Sequence, residues 1–139
     1  MESAGNVRTA TTLLRVTLGI MFLTHSIVLK VLTFGFAGTA QDFVSIGLPS
    51  VTAYLVIAAE SVGGTLLVFG IGTRYVALGL LPILLGATYV HSGNGWVFSS
   101  AGGGWEYPLF LIVVSVVVAL LEKGRLPGVR SQAEAVPSA

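Results

Sequence analysis

Several residues of this sequence lie in or beside apolar stretches and have side chains that can bind or release a proton near neutral pH or pair with one that does, among them His25, Lys30, Glu60, His91 and Glu106. Glu60 is the most informative, because it is the only charged residue between positions 55 and 70. A charge in a lipid-embedded segment is costly unless it is paired or hydrated, and such residues commonly serve proton or ion chemistry. We therefore expect Glu60 to face a polar chamber within a helical bundle, with His25 as one neighbour.

The composition is typical of an integral membrane protein. Of the 139 residues, 54% are hydrophobic and 9% are charged, whereas soluble domains carry about a quarter charged residues. The net charge of +1 gives no basis for binding nucleic acid. Cysteine is absent, which excludes disulfides and thiolate metal sites within the chain. Redox chemistry here would need a cofactor or a partner.

Four apolar segments predict an all-α fold, an integral membrane four-helix bundle with spans at residues 11–32, 51–71, 75–90 and 108–121. About 20 residues cross a hydrocarbon core, so the last two spans are short. Pro82 predicts a kink in the third.

The connections and flanks are predicted from their composition. Residues 34–47 are too short and Gly-rich to span, and they predict an interfacial or re-entrant segment between helices 1 and 2. We expect a cytoplasmic N-terminal segment at 1–10, a membrane domain at 11–122, and a disordered cytoplasmic tail at 123–139.

Basic residues predict the orientation. In a four-span protein both termini and the turn between helices 2 and 3 lie on one side. That side carries most of the basic residues, namely Arg8, Arg15, Arg74, Lys123, Arg125 and Arg130, and the other side carries only Lys30. The positive-inside rule then predicts cytoplasmic termini. We interpret Arg15 and Arg74 as residues that fix this topology.

This orientation places the five titratable side chains in the outer half of the bundle. Glu60 lies about 13 Å, and His25 about 11 Å, from the outer ends of their helices. His91 ends helix 3 and Glu106 begins helix 4 at the same rim. Their adjacent Trp105 is either an interfacial aromatic or a ligand contact.

Two further features concern the side chains expected near Glu60. Lys30 is five residues from His25, which puts the two on different faces of an α-helix, and Lys30 could instead extend to the lipid headgroups. Gly63 and Gly64 share the Glu60 face, and they predict the close approach of another helix. No tight ligand spacing links the His and Glu residues, so no metal site is predicted.

The sequence resembles the DoxX family of small bacterial inner-membrane proteins over residues 15–121. The resemblance rests on Arg15 and Gly19, on His25 followed by Lys30, on "GLP" before helix 2, and on E-x-x-GG followed by G-x-G-T-R at residues 60–74. "YVHSGNGW" and "GGWEYP" are also similar. The family commonly has His-Gly-x-x-Lys, whereas here Ser26 follows the His and one more residue precedes Lys30. The family's usual Ser/Asp-containing ending after helix 4 is also missing.

The resemblance implies a four-helix membrane protein associated with oxidoreductases, similar to membrane subunits of thiosulfate–quinone oxidoreductases. It implies partner redox subunits, and self-association is a further expectation. On this hypothesis a quinone headgroup binds in the outer polar pocket, where His25 donates to a quinone oxygen and Glu60 relays a proton. Lys30, His91, Glu106 and Trp105 would line that pocket. The alternatives are a non-catalytic assembly protein and a proton-coupled exporter of lipophilic cations.

Overall fold

The computed structural model describes residues 2–122, which form six α-helices and no strand. The predicted all-α class is confirmed. The helices, in chain order, are α1 (Glu2–Leu23), α2 (Gly35–Ser45), α3 (Ser50–Phe69), α4 (Thr73–Gly79), α5 (Leu81–His91) and α6 (Glu106–Leu121). A π-helix, Thr24–Thr33, continues α1 without interruption, and one 3₁₀ turn, Ser92–Asn94, follows α5.

Within residues 2–122, three helical stretches are long and apolar enough to cross a membrane: Ser3–Thr33, Ser50–Phe69 and Thr73–Asn94. The fourth predicted span corresponds to α6, which is apolar but has 16 residues, or about 24 Å of helix. Large apolar side chains also cover the outside of the bundle, with Leu32 72% and Phe69 73% exposed. Such a surface is suited to lipid and not to water, so the chain is a membrane protein.

The helices pack around one apolar core. α1 packs mainly on α3, while α6 packs on α4 and α5 and also contacts α1. The core side chains are Leu18, Phe22, Leu67, Ala77, Leu80, Leu84, Leu111, Val118 and Ala119.

Glycines set the closest helix contacts. A Cβ on Gly64 would lie 2.8 Å from the Gly19 carbonyl oxygen, and one on Gly19 would lie 2.7 Å from the Gly64 oxygen. The backbones of α1 and α3 therefore touch, as small residues allow between membrane helices. Gly63 serves a different contact, because its Cβ would lie 2.9 Å from a methyl carbon of Leu80. The adjacent residues Gly63 and Gly64 therefore pack against different neighbours, Leu80 and α1 respectively.

The element boundaries differ from the sequence prediction at two places. α1 begins at Glu2, nine residues earlier than predicted, and the Thr11 hydroxyl donates to the Val7 carbonyl within the helix. The third span is divided at Leu80 into α4 and α5, and Pro82 lies in the first turn of α5, where its missing N–H costs nothing. The predicted interfacial segment is α2. The predicted tail, 123–139, lies outside the described residues.

Candidate functional site

The π-helix explains how His25 and Lys30 come to one side. In an α-helix of 3.6 residues per turn, residues five apart are rotated by about 140°. In a π-helix the backbone hydrogen bonds join residues i and i+5, which places such residues on successive turns of one face. His25 and Lys30 both lie within Thr24–Thr33. The expectation of different faces is therefore wrong, because the helix is not an α-helix there.

An ion pair joins this π-helix to α3. Lys30 Nζ donates to Glu60 Oε2 at 2.6 Å. The Glu60 side chain is 6% exposed and that of Lys30 is 18% exposed, so both charges are largely removed from solvent. A pair of this kind is costly to desolvate, and removing one member leaves a buried charge alone. Glu60 is also within electrostatic reach of His25.

Three hydroxyls belong to residues at or near the two ends of this ion pair, and they bond to one another or to backbone carbonyls. Ser61, next to Glu60, donates to the Ser26 hydroxyl at 3.0 Å, and Ser26 donates onward to the Leu23 carbonyl at 3.3 Å. Thr39 of α2 donates to the Lys30 carbonyl at 2.8 Å. Thr39 and Ser26 are both buried. The ion pair therefore stands within a continuous polar strip formed by the π-helix, α2 and α3.

His25 connects this strip to α6. Its Nδ1 lies 3.0 Å from the Met21 carbonyl oxygen. A carbonyl only accepts hydrogen bonds, so the proton is assigned to Nδ1, and Nε2 is left for other chemistry. The ring stacks on Tyr107 with centroids 6.0 Å apart, and the Tyr107 hydroxyl contacts the Met21 sulfur. An imidazole and a phenol thus lie side by side near the ion pair.

The remaining predicted site residues hold the loop between α5 and α6. His91 Nδ1 lies 3.0 Å from the Gly102 carbonyl oxygen, and Glu106 Oε1 accepts from the Phe98 backbone N–H at 2.8 Å. Trp105 packs edge-on against Trp96, with ring centroids 4.5 Å apart. These contacts fold the loop back on itself. Their link to the ion pair runs through Tyr107, which follows Glu106 and reaches His25.

Arg15 and Arg74 lie together at the other end of the bundle. Arg15 Nη1 donates to the carbonyls of Leu67 and Val68, at 2.6 and 3.0 Å. These carbonyls belong to the last turn of α3, where Leu67 also accepts from the Gly70 backbone N–H at 3.2 Å, and Arg15 adds a side-chain cap to that helix end. Arg15 Nε also lies 3.9 Å from Glu122 Oε1. The guanidinium fits because Gly70 has no side chain there.

Sequence reasoning missed four of the residues around the ion pair: Ser26, Thr39, Ser61 and Tyr107. A usable signal existed for two of them, since Ser26 and Ser61 directly follow His25 and Glu60 in apolar helices.

Within residues 2–122 no cluster of three or more His, Asp or Glu side chains is placed to hold a metal ion.

Long apolar helices around a desolvated Lys–Glu pair define a helical membrane protein with an ionisable interior. A family model described as DoxX matches residues 10–93. A protein of Bacillus subtilis (strain 168) named "Putative oxidoreductase CatD" is 37% identical over 110 residues, which cover 79% of this chain and 77% of that protein. The chain belongs to the DoxX family. No solved structure shows significant similarity to it.

Proposed function

We propose that this protein is the membrane subunit of an oxidoreductase, and that it binds a quinone headgroup beside Lys30 and Glu60. The observation that carries the proposal is the desolvated ion pair at 2.6 Å within a membrane-spanning helix, next to the His25–Tyr107 stack. Ionisable groups inside membrane spans are expensive and usually mark proton or substrate pathways. The similarity to a protein named as an oxidoreductase supports redox chemistry over transport.

The side chains have separate roles in this proposal. A quinone supplies two carbonyl oxygens, and its reduction to a quinol consumes two electrons and two protons. Met21 occupies Nδ1 of His25, so Nε2 is the ring nitrogen that can take up a proton and donate it to a quinone oxygen. Glu60 and Lys30 hold and pass protons, because their short hydrogen bond is a ready exchange path. Lys30, whose side chain is the more exposed of the two, also orients the headgroup by charge.

The electrons come from a partner subunit in this proposal. The chain has no cysteine, so it offers no thiol couple of its own. A partner that oxidises thiosulfate or another reduced sulfur compound fits, because such a donor releases electrons that a membrane quinone can accept. Lipid surrounds the bundle.

Replacing Glu60 by Gln tests the quinone site directly. We expect Glu60→Gln to weaken binding of a short-chain quinone to the purified protein by about tenfold or more, since it removes the charge that orients Lys30. Proton uptake on reduction should fall as well. Quinone titration followed by quenching of Trp fluorescence measures the affinity, and a pH-sensitive dye measures the protons.

Asp42→Asn is the matched control, because it removes one carboxylate from the exposed face of α2. It should leave both measurements unchanged. Equal affinity and equal proton uptake for wild type and Glu60→Gln would contradict the quinone proposal.

A structural role is the second candidate function. It is favoured by the direct hydrogen bond between Lys30 and Glu60. Lys30 and Glu60 already satisfy each other, and Thr39 fixes the backbone of Lys30. On this reading the polar strip holds α2, α3 and the π-helix in register for assembly with partners. Glu60→Gln combined with His25→Ala would then change stability, but not the cellular phenotype once expression is matched.

We further propose that the protein lies in the bacterial inner membrane with both termini in the cytoplasm. The support is the excess of Lys and Arg at the Arg15 end of the bundle. Because the chain lacks cysteine, single cysteines report topology without background. In intact spheroplasts, a membrane-impermeant maleimide should label Ala37→Cys and Ala101→Cys, but Ser3→Cys only after permeabilisation. All three positions are exposed, and the opposite labelling pattern would reverse the orientation.

A further inference from the structure

A cavity of about 150 Å³ lies at the Arg15 end of the bundle, away from the Lys30–Glu60 pair. Its lining is Arg15, Phe69, Gly70, Thr73, Arg74 and Glu122. Its volume equals that of about five water molecules in the liquid, which leaves room for a small oxyanion. The α3 span ends at Phe69, so the cavity lies where the helices leave the hydrocarbon core.

The two arginines of the cavity differ in how many partners they have within residues 2–122. Arg15 is engaged by the two α3 carbonyls and by Glu122. The Arg74 side chain makes no ion pair or hydrogen bond with any residue from 2 to 122. Arg74 is therefore the cation in this cavity that has room for a ligand, and its planar guanidinium can hold two oxygens of one phosphate.

A second, independent observation points to a ligand. Thr73 is 5% exposed and lines the same cavity, yet its hydroxyl has no hydrogen-bond partner within the described part of the chain. Because Thr73 lines the cavity, its hydroxyl is available to donate a hydrogen bond to a group bound there. An oxyanion held by Arg74 would accept from Thr73 as well.

The apolar rim indicates what the oxyanion belongs to. Phe69 is 73% exposed, Ile71 is 55% exposed and Tyr75 is 64% exposed, and these side chains follow one another around the turn. They offer acyl chains an apolar surface that begins at Phe69, in the lining of the cavity. We propose that this cavity binds the phosphate of a phospholipid headgroup, with Arg74 and Thr73 as its ligands and Arg15 and Glu122 as its fixed wall.

Lipid binding to the full-length protein tests the proposal. In native mass spectrometry from detergent, wild type should retain phosphatidylglycerol, and Arg74→Gln and Thr73→Val should each lower the apparent affinity by about tenfold. Diacylglycerol with the same acyl chains should bind at least tenfold more weakly than phosphatidylglycerol. Millimolar inorganic phosphate should compete with the lipid on wild type.

Arg8→Gln is the control, because it removes the same charge near the same end from an exposed position outside the cavity. It should bind phosphatidylglycerol as wild type does. If Arg74→Gln does not fold, Thr73→Val and Arg74→Lys decide the question, and the lysine variant should bind between wild type and Thr73→Val. Unchanged binding in Thr73→Val and either Arg74 variant would overturn the proposal. Tight binding of inorganic phosphate without competition by lipid would overturn the lipid as its source.

Discussion

Lys30→Met is expected to lower the free energy of unfolding by about 3–5 kcal/mol, because it leaves the Glu60 carboxylate buried without its partner. Glu60 is 5% exposed, and its hydrogen bond to Lys30 is 2.6 Å long. The double variant Lys30→Met/Glu60→Leu should recover that loss, since a pair of apolar side chains needs no compensation inside the bundle. Unfolding in mixed micelles with increasing SDS measures all three proteins.

The comparison separates desolvation from loss of packing. Arg8→Met makes a similar chemical change at an exposed position of α1, and it should shift stability by no more than about 0.5 kcal/mol. A loss below about 1 kcal/mol for Lys30→Met would mean that water reaches the Glu60 carboxylate. If the double variant is as unstable as Lys30→Met, the loss of stability comes from disturbed hydrogen bonds in the polar strip and not from the unpaired charge.

Gly64→Ala should also destabilise the bundle strongly, by about 1–3 kcal/mol. The new Cβ would lie 2.8 Å from the Gly19 carbonyl oxygen. The obstruction is backbone and cannot rotate away, so α1 and α3 must separate along their contact. Thermal unfolding in detergent, followed by circular dichroism, measures the effect.

A graded series of glycine variants gives this prediction its controls. Gly63→Ala meets the end of the Leu80 side chain at 2.9 Å, which can change rotamer, so it should cost less than Gly64→Ala. Gly86 lies inside α5, and apart from the local backbone of that helix no atom lies within 4 Å of its Cβ position. Gly86→Ala should therefore stabilise the helix by up to about 1 kcal/mol. If Gly64→Ala and Gly86→Ala have the same stability, the close helix contact does not hold the fold.

The sequence was sufficient for the fold class, because apolar segments of membrane length admit few alternatives to helices. Boundaries were less accurate at the start of α1, where polar residues before Thr11 continue the helix to Glu2. Composition separates polar from apolar stretches, but it does not locate a helix end that extends beyond the apolar part. The break near Pro82 was predictable, since proline cannot donate in a helix interior.

The arrangement around Glu60 was only partly predictable. The expectation that Glu60 faces other polar groups came from the cost of an isolated charge, which is a general argument. Its partner in the structure is Lys30, and the α-helical periodicity had placed Lys30 on a different face from His25. A period of 3.6 residues carries no information about a local change to i→i+5 bonding. Tyr107 was not identified as a site residue, because nothing in the sequence links it to His25.

The widened helix at Thr24–Thr33 also bears on how the sequence tolerates changes in length. The DoxX pattern described above has one residue fewer between the histidine and the lysine, a spacing that an ordinary α-turn already aligns. Here the additional residue is absorbed by the wider turns, and Lys30 still reaches Glu60. Removing one residue from this segment, with a return to α-helical turns, should therefore preserve the ion pair between the lysine and Glu60. In this chain the π-helical geometry keeps the Lys30 ammonium within hydrogen-bond distance of the Glu60 carboxylate.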